Sequence, residues 1–170
     1  RGLGLALCGM CTEGKTESRV HITTTLDKLQ TIWMSMPVND PVYEPFCVTM
    51  TSIAGSLYAN NTLSEETVLP IVDKLRQLHQ ENPQIAGICL GLGLLTFSLN
   101  KLGLRTVSQL RQELVHQWLQ DVVKESTPPI ERVSKLTGLL SMIGSEQTLI
   151  PVQGSSSMTG SDINVSEVIT

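Results

Sequence analysis

Two kinds of hydrophobic segment alternate along this chain. Residues 85–99 carry no charged side chain, and shorter apolar segments occupy residues 2–11, 47–57 and 132–143. A helix that is apolar on every side must be buried on every side. The segments between them have apolar residues at helical spacing on one face only; they are Ile22 to Met36, Ser64 to Gln80 and Val107 to Lys124. The pattern predicts about seven helices, in which apolar and two-faced helices alternate.

Prolines and capping sequences mark the expected helix starts. Pro41, Pro83 and Pro128 stand at the same place before successive apolar segments, and proline is favoured at helix starts. Thr62–Glu65 and Thr106–Gln109 fit capping sequences, in which a hydroxyl and a side chain three residues later bind free amides. We therefore expect these four-residue segments to begin the second and third two-faced helices.

The apolar segments also repeat in sequence. The segments that begin at Gly4, Thr51, Gly93 and Gly138 can be overlaid, with starts 47, 42 and 45 residues apart. This period predicts one helical-repeat domain over residues 1–147. The expected repeats are about 1–38, 39–82, 83–127 and a partial one at 128–147. Residues 148–170 are rich in Ser and Gly and are expected to form a flexible tail or a loop between repeats.

Small residues interrupt the most apolar segment at Gly87, Cys89, Gly91 and Gly93. Small side chains in a buried helix indicate that a neighbouring backbone lies close. Together with the period, they predict an all-α fold, a right-handed α-solenoid of antiparallel helix pairs whose apolar helices form one inner layer.

Composition narrows the class of partner. The chain has 170 residues, of which 41% are hydrophobic and only 4% aromatic, a balance that favours helices. The formal net charge of −4 argues against direct binding of nucleic acid, because no basic field attracts phosphates. The chain begins at Arg1 inside an apolar segment, so we expect a piece of a longer protein.

No cofactor, metal or catalytic chemistry is expected. Cys8 and Cys11 form a CxxC pair, but a structural zinc site needs two further ligands at suitable spacing. The Gly-x-Gly pairs at residues 2–4 and 91–93 lack the third glycine of a dinucleotide loop. No nucleophile, base and orienting acid converge in the pattern. We therefore expect a protein that is not an enzyme.

A membrane-associated helical protein is the alternative interpretation. Residues 85–99 could form a short span, but 15 apolar residues fall short of the roughly 20 that cross a bilayer. The corresponding segments at 47–57 and 132–143 carry Thr, Ser, Lys or Arg. A membrane is therefore not expected as a partner.

The polar faces of the two-faced helices are the candidate binding surface. In stacked helix pairs, one layer usually binds partner proteins. The candidate partner-binding residues are Lys74, Gln77, Arg111, Gln112, His116 and Gln120. Neighbouring repeats of the same chain are the other expected partners, since the ends of a helical stack expose apolar faces.

The 42–47-residue period resembles the HEAT/armadillo superfamily. Within it, Gly2-Leu-Gly-Leu-Ala-Leu7 and Ile88-Cys-Leu-Gly-Leu-Gly-Leu-Leu-Thr96 resemble the focadhesin family of very large helical-repeat proteins. This resemblance implies a cytoplasmic, non-enzymatic scaffold that is localised at focal adhesions. It also implies focal-adhesion proteins or components of the Ski RNA-decay complex as partners. It transfers no residue-level site.

Overall fold

The computed structural model describes residues 16–59 and 61–143, and these residues form six helices and no strands. The all-α prediction is confirmed, with six helices rather than about seven. The first predicted helix, at residues 2–11, lies outside the described residues, as do Cys8, Cys11 and the tail at 148–170. The helices are α1 (Thr16–Ser35), α2 (Tyr43–Ala59), α3 (Glu65–Glu81), α4 (Ala86–Lys101), α5 (Arg105–Val123) and α6 (Pro129–Ile143).

The three apolar helices start close to the expected prolines. α2, α4 and α6 begin one to three residues after Pro41, Pro83 and Pro128. The end of α4 is set by Gly103, which adopts a left-handed φ of +82°. Glycine reaches this conformation without a Cβ clash, and its amide donates back to the carbonyl of Asn100 at 2.9 Å.

The predicted capping sequences place the starts of α3 and α5 incorrectly. The residue that precedes α3 is Ser64 rather than Thr62, and the residue that precedes α5 is Leu104 rather than Thr106. Neither makes a side-chain cap hydrogen bond. Leu104 is almost completely buried, so packing of its side chain, together with the turn at Gly103, sets the start of α5.

Helix α1 begins earlier than its sequence pattern predicts. The β-branched residues at 22–25 lie inside α1, which starts at Thr16. The hydroxyl groups of Thr24 and Thr25 donate to the carbonyl oxygens of Val20 and His21, at 2.9 and 2.7 Å. This back-bonding satisfies the hydroxyls within the helix, so the threonine run is compatible with an uninterrupted helix.

The helices pack in two layers. The inner layer is α2, α4 and α6, in which α4 packs along α2 on one flank and along α6 on the other. The outer layer is α1, α3 and α5. Helix α1 contacts α2, α3 contacts both α2 and α4, and α5 contacts both α4 and α6. The three described apolar helices thus form one continuous layer.

Glycines allow the inner helices to approach closely. A Cβ at Gly87 would lie 2.8 Å from the Cα atom of Glu44 on α2. On the opposite flank, a Cβ at Gly93 would lie 2.5 Å from the carbonyl oxygen of Gly138 on α6. Both separations are shorter than any side chain tolerates. The prediction that small residues mark a close backbone neighbour is therefore confirmed on both sides of α4.

The structural register of the repeat differs from the sequence overlay. The overlay aligns Gly138 with Gly93, but these two glycines face each other across the α4–α6 contact. Gly138 instead corresponds to Gly91. A Cβ at Gly91 would meet Thr51 on the preceding inner helix. A Cβ at Gly138 would meet the carbonyl oxygen of Cys89 on the preceding inner helix, as well as the ring of Trp118 on α5. Leucine and glycine recur at several spacings in these helices. Matching residue types alone therefore misaligns α6 with α4 by two residues.

The core runs along both layers. Its largest completely buried side chains come from five helices and include Leu26, Trp33, Tyr43, Met50, Ile71, Leu92 and Trp118. Within the part of the chain that the structure describes, no helix has both the length and the apolar character needed to cross a membrane. This includes α4, with 16 residues, which contains most of the candidate span at 85–99.

Candidate protein-binding surfaces and a buried polar cluster

The predicted partner-binding residues lie on the outer-layer helices. Lys74 and Gln77 lie on α3, and the other four lie on α5. Gln77, Gln112, His116 and Gln120 are exposed, whereas Lys74 and Arg111 are partly buried. The exposed side chains are available to a partner.

Short-range contacts order this outer surface. The amide of Gln120 lies 2.9 Å from Nε2 of His116, one turn earlier on α5. Between the two helices, Arg76 pairs with Glu113 at 3.6 Å, and both side chains are largely exposed. Exposed pairs of this kind contribute little to stability. They keep polar groups from α3 and α5 side by side on one face.

Arg111 has a structural contact that its sequence position does not indicate. Its Nη2 atom donates to the carbonyl oxygen of Met142 at 3.2 Å. Met142 lies in the last turn of α6, where helix carbonyls are free and cations are favoured. Burial lowers the pKa of Arg111. Arg111 therefore joins α5 to the end of α6 and is less available to a partner than Gln112 or His116.

A buried polar cluster connects three helices beneath the outer surface. The indole N–H of Trp118 on α5 donates to Nε2 of His79 on α3 at 2.9 Å. Nδ1 of His79 lies 3.4 Å from Sγ of Cys89 on α4. Because the indole group can only donate, Nε2 must accept, and neutral His79 carries its hydrogen on Nδ1. His79 therefore donates toward the sulfur of Cys89.

This arrangement does not form a nucleophile and a base. Burial, and secondarily the charge of Lys135, lowers the pKa of His79 to about 4. Burial raises the pKa of Cys89 to about 12. A thiol with so high a pKa stays protonated, and the imidazole already presents N–H to it. The His79–Cys89–Trp118 cluster is therefore a hydrogen-bonded part of the core.

A buried ion cluster lies beside it, between α5 and α6. Nζ of Lys135 is 2.9 Å from Oδ2 of Asp121 and 3.4 Å from Oε2 of Glu131. The side chain of Lys135 is only 8% exposed, so the two carboxylates compensate its charge where water does so poorly. No group of three His, Cys, Asp or Glu side chains in the described segments is arranged to hold a metal ion.

Neither cluster is evident from the amino-acid sequence. His79 and Trp118 are 39 residues apart, and no spacing within one helix relates them. The only indication in the sequence is that His79 falls on the same face as Leu75 and Leu78, both of which are buried.

An exposed apolar surface lies on the last described helix. We call it the α6 stripe; it consists of Val133, Leu136, Leu140 and Ile143. These side chains are 61%, 46%, 59% and 53% exposed, respectively. Their spacing of three, four and three residues places them on one side of α6. Contiguous exposed apolar residues are typical of an interaction surface.

Comparison with known proteins identifies the family. A model of the focadhesin family matches residues 72–170. Focadhesin from Danio rerio is 27% identical over 154 residues, which are 89% of this chain and 8% of that protein. The mouse protein is 30% identical over 85% of this chain, and the human protein 25% identical over 93%. No solved structure matches. This chain thus spans 8% to 9% of the length of these relatives, and it belongs to the focadhesin family.

Proposed function

We propose that this chain is a segment of a larger, non-enzymatic scaffold that binds other proteins through an α-solenoid. The proposed solenoid is right-handed and of the HEAT/armadillo type. The single observation that supports it most is the order of the inner layer, in which α4 contacts α2 on one side and α6 on the other. A helical stack of this kind is extended by adding further pairs at either end.

The outer layer supplies the proposed binding face. Gln77, Gln112, His116 and Gln120 project from α3 and α5, and Lys74 lies partly buried among them. Their groups offer both hydrogen-bond donors and acceptors, and Lys74 adds one positive charge. Such a face suits a polar protein surface. The net charge of −4 gives no general attraction for nucleic acid.

The focadhesin resemblance supplies the proposed cellular setting. We propose a cytoplasmic protein that is localised at focal adhesions. Its partners are focal-adhesion proteins or components of the Ski RNA-decay complex. This chain covers only 8% of the length of the Danio rerio and mouse relatives, so we expect other segments of the full-length protein to contribute binding surface as well.

Co-purification with the full-length protein tests the binding face. The test variant replaces Lys74, Gln112, His116 and Gln120 with alanine. The control variant replaces Lys101 and Glu125, which are exposed outside this face. We expect the test variant to lose most of its recovery of a Ski component or a focal-adhesion protein, while the control retains it. Equal recovery by both variants would show that the α3–α5 face does not bind that partner.

A further inference from the structure

Successive inner helices contact one another in a regular way. Cys47 and Thr51 of α2 face Gly91 of α4, whose Cβ would lie 3.2 to 3.3 Å from them. The carbonyl of Cys89 and the glycine at 93, both on α4, face Gly138 of α6 in turn. The forward face of an inner helix is the side that contacts the next inner helix along the chain, as Cys47 and Thr51 do on α2 and Cys89 and Gly93 do on α4. The rear face is the side that contacts the preceding inner helix, as Gly91 does on α4 and Gly138 does on α6.

The forward faces of α2 and α4 are related by one shift. Cys47 and Thr51 become Cys89 and Gly93 when 42 residues are added. All four residues are buried. The forward positions of these two helices are thus equivalent and carry small or short side chains.

The rear faces of α4 and α6 are related by a second shift. Gly87 receives Glu44, and Gly91 receives Thr51. Adding 47 residues gives Ser134, which donates to the carbonyl of Gln84 at 2.7 Å, and Gly138. The structural register between α4 and α6 is therefore 47 residues.

The same shift identifies the forward face of α6. Adding 47 residues to Cys89 and Gly93 gives Leu136 and Leu140, the central residues of the α6 stripe. The forward positions that are buried in α2 and α4 are therefore about half exposed in α6. The stripe occupies the position at which the inner layer would receive its next helix.

We infer that the α6 stripe binds the next inner-layer helix of the longer chain. This inference rests on the proposed solenoid. The family match continues from α6 to Thr170, and each relative is more than ten times as long as the matched segment. Both observations favour an occupant from the same chain over a separate protein or a second copy.

The contact that covers the α6 stripe differs in its side chains from the α2–α4 and α4–α6 contacts. Leucine side chains replace the cysteine, threonine and glycine of the earlier forward faces. Interaxial distance depends on the side chains at the contact. The next helix therefore packs on α6 at a larger distance than α4 packs on α2, through interdigitated aliphatic groups.

Site-specific photo-crosslinking in the full-length protein tests the occupant. A benzoylphenylalanine probe replaces Leu140, and a control probe replaces the exposed Gln120 of α5. We expect the Leu140 probe to crosslink within the same polypeptide, to a segment after Thr170, while the Gln120 probe does not reach that segment. A crosslink to another polypeptide, to a second copy or to residues 144–170, or no crosslink, would overturn the inference.

Hydrogen exchange of the full-length protein provides a second measurement. The variant L136E/L140E should raise exchange across residues 129–143 at least about tenfold, since it removes an apolar contact from one side of α6. The control T137E changes a partly buried residue between the two leucines and should raise exchange less. Unchanged exchange in L136E/L140E would overturn the inference. Failure of either experiment would not contradict the proposed α3–α5 binding face, because co-purification tests that face separately.

Discussion

Trp118 and His79 join two outer-layer helices by a hydrogen bond of 2.9 Å between indole and imidazole. Their rings also meet edge to face, with centroids 5.2 Å apart. The contact holds α5 against α3 beneath the exposed pair of Arg76 and Glu113. A buried bond of this kind does more for the position of the two helices than the surface ion pair above it.

A double-mutant cycle should measure this bond. Trp118→Phe leaves Nε2 of His79 buried without a donor, and we expect it to lower the free energy of unfolding by about 1–3 kcal/mol. His79→Leu removes the acceptor. The double variant should lose about 1 kcal/mol less unfolding free energy than the sum of the two single losses. Urea unfolding followed by circular dichroism measures all three losses. Strict additivity would show that the bond contributes nothing.

His79 should also make stability depend on pH. Its pKa is about 4 in the folded chain, against an ordinary value of 6.5. Between these values the unfolded chain binds a proton that the folded chain does not. Stability is therefore full above about pH 6.5 and falls as the pH decreases to 4, by about 3 kcal/mol at most.

Urea unfolding at pH 7.5 and pH 4.5 measures this loss. The matched control is His79→Leu, in which the other titrating groups remain. The variant should lose less stability between the two pH values than the original chain. The same loss in both proteins would assign the pH dependence to other groups.

The two described cysteines should resist alkylation. Cys47 and Cys89 are completely buried, and burial raises the pKa of each thiol to about 12. In a chain with Cys8 and Cys11 changed to serine, less than about a tenth of either thiol should react with iodoacetamide within an hour at pH 7.5. Peptide mass spectrometry measures this, with a urea-unfolded sample as control. Rapid modification of the folded chain would mean that the inner layer opens.

Gly93→Ala should separate two inner helices. The added methyl would overlap the Ser141 hydroxyl and lie 2.5 Å from the carbonyl oxygen of Gly138. We expect overpacking to lower the free energy of unfolding by about 1–3 kcal/mol, which is measured as a lower urea midpoint. A second change, Ser141→Ala, removes the overlapping hydroxyl and should restore part of the stability. A midpoint equal to that of the original chain would contradict the close α4–α6 contact.

The inner helices could be predicted from the sequence because their determinants are local. Pro83 lies in the turn before α4, and Gly103 follows its end with the positive φ that glycine favours. The starts of α3 and α5 could not be placed correctly, since Leu104 is held by tertiary burial rather than by a capping side chain. Helix content was thus predictable where Pro and Gly restrict the chain, and less so where packing decides.

The candidate surfaces also include features that the sequence predicts and features that depend on packing between helices. The periodicity of α5 identified Gln112 and His116 as exposed residues, because exposure follows from the position of the apolar stripe. The bond from Arg111 to Met142 crosses 31 residues, and no pattern within α5 distinguishes Arg111 from its neighbours. The α6 stripe could not be placed from the sequence, because its register depends on which neighbouring helix each glycine of α4 faces.

The glycines on opposite flanks of α4 have a mechanical consequence. With Gly87 against Glu44 on one side and Gly93 against Gly138 on the other, α4 is held closely on both flanks. Close-packed contacts of this type yield very little under load. We expect bending of the protein to be taken up at contacts lined by longer, more deformable side chains. Among the described residues, the contact proposed for Leu136 and Leu140 of α6 is of this kind.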